Sequence, residues 1–232
     1  MMFAKRNLRY EPLSLPDWHN MSDDAMAAAA KDYFAFMCKR HSVRDFADNL
    51  VPQPIIEDCV RTAGRAPSGA NHQPWHFVAI ADQEKKHLIR LAAEEEEARF
   101  YDGGAGDEWL KALEPIGTGV DKPHLDIAPW LIVIFAQRYG QYDDGTTFKN
   151  YYVPESVGIA TGFLLAALHH AGLVALTHTP NPMRFLNSML DRPASEKPVM
   201  IVATGHPAED ATVPAVAKRK KALRQILTVY EA

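Results

Sequence analysis

The sequence predicts one α/β or α+β domain, and three observations carry that prediction. Apolar runs of strand length fall at 76–81, 129–136, 173–179 and 199–203, the second nearly continuous, as in strands buried on both faces. Segments with helical spacing of apolar residues separate them. At 232 residues the chain is long enough for one domain with a sizeable core.

In order, residues 1–21 carry Pro12 and Pro16 among polar and aromatic residues and read as an extended arm, of the kind that wraps a partner in an oligomer. Ser22, Asp23 and Asp24 supply an N-cap and an acidic first turn for a helix to about residue 39, with apolar faces from Tyr33, Phe34, Phe36 and Met37. That helix delivers Arg40-His41-Ser42-Val43-Arg44-Asp45-Phe46. Pro52 and Pro54 open a second helix over 55–65, which ends at a Pro67-Ser68-Gly69 turn within Ala66-Pro67-Ser68-Gly69-Ala70-Asn71-His72-Gln73-Pro74-Trp75. A long helix over 83–100 ends in Glu94, Glu95, Glu96 and Glu97. The stretch 103–124 mixes glycines with a short amphipathic piece at 109–113, and so long a weakly structured connection is either a lid or disorder. The most apolar helix, over 155–171, has small residues at Gly158, Ala160 and Gly162 that allow close approach. A short helix over 183–190 follows, and the tail from 213 to 232 joins Lys218-Arg219-Lys220-Lys221 to an aliphatic end.

Composition narrows the function classes. The 29 acidic and 25 basic residues leave a net charge of -4, which supplies no general attraction for nucleic acid. Cys38 and Cys59 are too few for a disulfide framework; each sits in an apolar helical pattern, so buried, reduced thiols and a reducing compartment are expected. The first residues lack the apolar run of a secretory leader, and no run approaches the roughly 20 residues that span a bilayer, so the expectation is a soluble, cytoplasmic protein. His41, His72 and His178 have no metal-ligand spacing around them, and adjacent His169 and His170 cannot face one ligand from a helix; no metal is expected.

Two cations flanking a hydroxyl, followed by a Pro-Ser-Gly turn with amides free to donate, suit a phosphorylated planar ligand: a fork for phosphate and donors along a ring edge. Other positions have plain readings when taken alone. Glu94 to Glu97 resemble a solvated helix face, Lys122 a surface lysine, Thr177 and Thr179 ordinary strand residues, and the 218–221 cations a solvated tail.

The two runs and their spacing resemble the flavin-binding signatures of the nitroreductase superfamily. Within it, the chain from about residue 40 onward is similar to the iodotyrosine deiodinases. That second likeness rests on Glu94 to Glu97 with Tyr101, Lys122 ahead of Leu125-Asp126-Ile127-Ala128-Pro129, Thr177-His178-Thr179-Pro180, and Ala211-Thr212-Val213-Pro214 with Lys218-Arg219-Lys220. The resemblance implies an α+β nitroreductase-like fold, a central mixed or antiparallel sheet surrounded by helices, in a domain-swapped homodimer with FMN at the interface. It implies that Arg40, His41, Ser42 and Arg44 contact phosphate, ribityl chain and pyrimidine edge, with Arg44 near N1 and the C2 carbonyl, where reduced flavin is anionic. Arg219 would hold the phosphate, Ser68 and Gly69 would line the ring, and Thr177 and Thr179 would complete the cofactor contacts. Thr179, at flavin N5, is the implied catalytic residue, because a hydroxyl there favours single-electron steps over hydride transfer. The implied substrate is a halotyrosine, held as a zwitterion by Glu97, Tyr101 and Lys122 under a lid at about 98–125, with the Ala70 amide on the phenolate oxygen. The implied reaction is reductive dehalogenation to tyrosine and halide, driven by an external reductant or reductase. Asn71, Gln73 and His41 instead resemble broader nitroreductases and keep a general NAD(P)H-dependent nitroreductase or quinone reductase as the alternative. A flavin-sequestering or halotyrosine-sensing protein is a third, non-enzymatic class.

Overall fold

The structure, a computed structural model, describes residues 9–15, 18–142 and 144–231. Its helices in chain order are α1 (Asp23–Met37), α2 (Gln53–Ala63), α3 (Gln83–Arg99), α4 (Asp107–Leu113), α5 (His124–Ile127), α6 (Val153–His170) and α7 (Phe185–Met189). The strands are β1 (Trp75–Ile80), β2 (Trp130–Gln137), β3 (Tyr139–Gln141), β4 (Thr147–Lys149), β5 (Val174–His178) and β6 (Glu196–Gly205). The central sheet has the order β1-β2-β6-β5, with every neighbouring pair antiparallel, while β3 and β4 form a separate hairpin.

The continuous apolar run of β2 has its reason in two helical layers. Leu131, Val133 and Phe135 point with Leu176, Ile201 and Ala203 into a core shared with Ile89 and Ala93 of α3, Leu125 of α5 and Leu186 of α7. Ile132 and Ile134 point the other way, with Val202, against Ile56, Cys59 and Ala63 of α2 and Val157, Leu164 and Leu168 of α6. A strand alternates its side chains, so one covered on both faces has no polar position left.

Several boundaries differ from the sequence expectation. Helix α2 begins at Gln53, with Pro52 as N-cap and Pro54 in the first turn, where a missing amide costs nothing. Strand β5 ends at His178, so Thr179 follows it, and β6 starts at Glu196, three positions before the expected 199. The β3–β4 hairpin was not anticipated; its signal is Asp144-Gly145, where Gly145 has a positive φ and the Asp144 carboxylate accepts from the Thr146 amide at 3.0 Å.

Helix α1 buries none of its residues: Tyr33 is 58 % and Phe34 70 % exposed, and Phe36 is half-buried, its ring 4.3 Å from that of His169. The expectation of a buried Cys38 fails for that reason, since Cys38 is the C-terminal cap residue of a helix that stands off the core and is exposed; Cys59 is buried as expected. Residues 9–15 and 18–21 form neither helix nor strand, while residues 1–8, 16 and 17 of the expected arm and Ala232 of the tail lie outside the described residues. Among the described residues, no helix is long and apolar enough to cross a membrane.

Candidate active site

The 40–46 segment lies along the open edge of β5. Ser42 pairs in parallel with Ala175, the Val43 amide donates to the Ala175 carbonyl at 3.2 Å, and Phe46 pairs with Pro207 beyond β6. Asp45 ties the other side: its carboxylate accepts from the Thr212 amide at 2.9 Å and hydroxyl at 3.2 Å, and its carbonyl from the Ala208 amide at 2.9 Å. Arg44 is thereby held with its side chain half-buried, and burial lowers its pKa against the opposing influence of Asp45 and Tyr101.

Arg44 lines a cavity of about 320 Å³ with Glu97, Tyr101, Lys122, Thr177 and Thr179. Six residues read from four separate stretches of sequence therefore meet at one place. Glu97 and Tyr101 come from the C-terminal end of α3, prolonged by the π-helical turn Phe100–Gly104, Thr177 and Thr179 from the end of β5, Arg44 from the 40–46 segment beside it, and Lys122 from the irregular stretch before α5. The stretch between is ordered as α4 and the 3₁₀ turn Glu114–Ile116, and Phe100, Trp109 and Leu113 give the cavity an apolar side.

Lys122 is no surface lysine, being 2 % exposed. Its ammonium lies 3.1 Å from the Glu97 carboxylate, donates to the Gly119 carbonyl and sits 6.0 Å from the centre of the Tyr101 ring. Its backbone amide donates to Glu94 Oε1 at 2.7 Å. The Tyr101 hydroxyl donates to the Thr118 carbonyl at 3.1 Å. Glu97, Tyr101 and Lys122 are thus mutually satisfied in this state.

Two histidines that chemical reading of the sequence did not assign complete the inner wall. His124 and His178 are 6 % and 9 % exposed, their rings lie 6.0 Å apart edge to face, and both Nε2 atoms are buried without a partner. Burial, then Lys122 and further positive neighbours, lowers His124 to about 4 despite Asp45, and lowers His178 to about 3. Strand alternation was the available signal for His178, since 174, 176 and 178 share the inward face of β5. No periodic pattern marks His124.

The remaining expected site residues lie apart. Arg40 and His41 line a separate groove of about 320 Å³ with Val174, Ala175 and Thr212, and Ser42 pairs with Ala175 of β5. Arg219 is exposed after the 3₁₀ turn Ala215–Lys218, which packs on the Glu114–Ile116 turn. Ser68, Gly69 and Ala70 precede β1, the opposite edge strand from β5, and sit beside α6 on the other face of the sheet. The expectation of freely donating amides in this turn is corrected at Gly69, whose amide donates to the Ser156 hydroxyl at 3.4 Å, while the Ser68 hydroxyl accepts from the Gln73 amide at 2.9 Å. Ala70, Asn71 and Gln73 all have positive φ near 50°, an uncommon conformation for residues with a Cβ. Among the described residues no group of His, Cys, Asp and Glu side chains could hold a metal.

An antiparallel sheet between two helical layers, with a cation-lined cavity at its β5 edge, is the architecture of a flavin-type oxidoreductase fold, and the Nitroreductase family model matches residues 37–206. The chain belongs to the nitroreductase family. Within it, the chain is 51% identical over 207 residues to an iodotyrosine deiodinase from Haliscomenobacter hydrossis, covering 89% of this chain and 92% of that one. It is 40% identical over 226 residues to iodotyrosine deiodinase 1 from Homo sapiens, covering 97% and 76%. A crystal structure of oxidized iodotyrosine deiodinase bound to FMN and 3-iodo-L-tyrosine superposes with a TM-score of 0.71 at 28% identity, over 86% of this chain and 98% of that one. The chain is a member of the iodotyrosine deiodinase group.

Proposed function

We propose that this chain catalyses FMN-dependent reductive dehalogenation of halotyrosines to tyrosine and halide, as a cytoplasmic, domain-swapped homodimer supplied with electrons by an external reductant or reductase. The observation that carries this reading is the convergence of Glu97, Tyr101 and Lys122 with Arg44, Thr177 and Thr179 on one cavity. Its relatives are named for that activity, and a solved relative binds FMN and 3-iodo-L-tyrosine.

The residues present fit FMN. A half-buried guanidinium and two strand-end hydroxyls border the cavity, and buried imidazole nitrogens without partners border it too. Arg44 would face the pyrimidine edge, Thr179 the N5 edge with Thr177 beside it, and Arg40, His41, Ser42 and Arg219 the ribityl and phosphate end. Bound there, FMN supplies the two electrons that, with one proton, replace a carbon–halogen bond by a carbon–hydrogen bond and release halide.

The chain's own part is to recognise and orient. Glu97 would accept the substrate ammonium and Lys122 and Tyr101 would donate to its carboxylate, so the zwitterion inserts into an ion pair that is already formed at 3.1 Å. Both charges therefore exchange one partner for another rather than leaving water at the moment of binding. The segment at about 98–125 would act as the lid, with Phe100, Trp109 and Leu113 excluding water.

Two features support the dimer. The 68–70 turn and the β5 cavity sit at opposite edges of a four-stranded sheet, about 14 Å apart at roughly 4.8 Å per strand step, which favours Ser68, Gly69 and the Ala70 amide reaching the flavin from a second subunit. Apolar side chains of α1, of the arm (Trp18) and of the tail (Ile226, Val229) are left exposed, as segments that cover a partner would be.

The test is anaerobic titration of the FMN-loaded protein with 3-iodotyrosine, followed by dithionite. Quenching of flavin fluorescence and stoichiometric iodide release are expected. Full FMN loading with no halide release, and rapid NAD(P)H oxidation with nitrofurazone instead, would replace this reading by the general nitroreductase.

A further inference from the structure

Helix α3 and the turn after it grip the returning segment 118–128 along its whole length. The Lys86 ammonium donates to the carbonyls of Asp126 at 3.1 Å and Ala128 at 2.7 Å, and Arg90 Nε lies 2.9 Å from the Asp126 carboxylate. Further along, Glu94 accepts from the Lys122 amide at 2.7 Å, Glu97 pairs with the Lys122 ammonium at 3.1 Å, and Tyr101 donates to the Thr118 carbonyl at 3.1 Å. Positions 86, 90, 94, 97 and 101 form one helical stripe, and their partners run in the reverse order from 128 to 118.

Two rungs of this ladder end on the same residue. Glu94 holds the backbone of Lys122, and Glu97 holds its ammonium. These contacts have different fates when a zwitterion arrives, because Glu97 must release the ammonium whereas Glu94 has no reason to move. Residues 117–123 are in neither helix nor strand, so the carboxylate of Glu94 replaces the regular ladder that would otherwise fix the Lys122 backbone. Arg90, 3.9 Å from Glu94 Oε1, helps to orient that carboxylate.

We propose that Glu94 is a positioning residue: by holding the Lys122 amide it keeps Lys122 at the cavity once the Glu97–Lys122 pair opens for the ligand. This rests on the halotyrosine reading above for its consequence, and on α3 alone for its geometry.

The test compares FMN-loaded wild type, Glu94→Ala and Glu94→Gln. Without any ligand, amide hydrogen exchange across residues 118–123 should rise in Glu94→Ala and stay close to wild type in Glu94→Gln, which keeps an acceptor oxygen. The dissociation constant for 3-iodotyrosine, read by flavin quenching, and KM should rise about tenfold in Glu94→Ala, the effect of losing a charge-assisted hydrogen bond, with kcat and FMN affinity unchanged. Unchanged exchange and affinity in Glu94→Ala would overturn the proposal, as would a fall in kcat at constant KM. A wild type that fails to bind 3-iodotyrosine refutes the functional reading, and the exchange comparison then decides the role of Glu94 separately.

Discussion

Acidification is the perturbation that His124 and His178 make most informative. Each titrates near 6.5 in the unfolded chain, but burial beside Lys122 and other cations lowers the folded values to about 4 and about 3. Between those limits the unfolded state binds protons that the folded state refuses, so stability is full above about pH 6.5 and is lost as pH falls. At about pH 5 the deficit is about 1.5 pH units for each ring, or about 2 kcal/mol at about 1.4 kcal/mol per unit. His76, lowered mainly by burial, acts in the same direction. For a chain of this size about 2 kcal/mol corresponds to a melting shift of about 4–8 °C. The assay is thermal unfolding at about pH 7.5 and about pH 5, at fixed protein concentration and saturating FMN, for wild type and His178→Leu. The leucine variant should lose about 4–8 °C less than wild type between the two pH values. Equal losses in the two proteins would refute the claim that the folded state excludes a proton from His178.

Other predictions concern the same framework. Glu97→Gln should weaken 3-iodotyrosine binding at least about tenfold while FMN loading is retained, measured by flavin quenching, because Lys122 keeps a hydrogen-bond acceptor but the substrate ammonium loses its counter-charge. Gly69→Ala should lower stability by roughly 1–3 kcal/mol in urea titration, since a Cβ there would meet the Tyr151 carbonyl oxygen at 2.7 Å and the Tyr152 ring at 3.0 Å. Arg192→Ala should cost roughly 3–5 kcal/mol at neutral pH: burial works to raise the Glu196 pKa, and the Arg192 and Gln137 hydrogen bonds outweigh it, so removing the bidentate partner at 2.7 and 2.8 Å strands a buried carboxylate. The loss should shrink toward acid pH, where Glu196 can protonate in the variant.

The sequence by itself determined the four strands of the central sheet and their order along the chain, though not the β3–β4 hairpin. The run at 129–136 had to be a strand covered on both faces because nothing in it could face water, and residues 131–135 are all fully buried. Spacing also placed Glu97 and Tyr101 on one helical face, one turn apart. What the sequence could not determine was anything that depends on where separated segments meet. Lys122 had the look of a surface lysine because burial of a charge is decided by its partners in the fold, here the Glu97 carboxylate and the Gly119 carbonyl. Cys38 had an apolar helical setting, yet α1 has no buried residue among the described part of the chain. His124 and His178 are 54 positions apart in sequence, and only the return of β5 beside the 118–128 segment sets their rings 6.0 Å from one another, where burial near cations keeps both neutral. Periodicity is a local property and was readable; desolvation and charge pairing are properties of the assembled site, and only the tertiary structure fixed them.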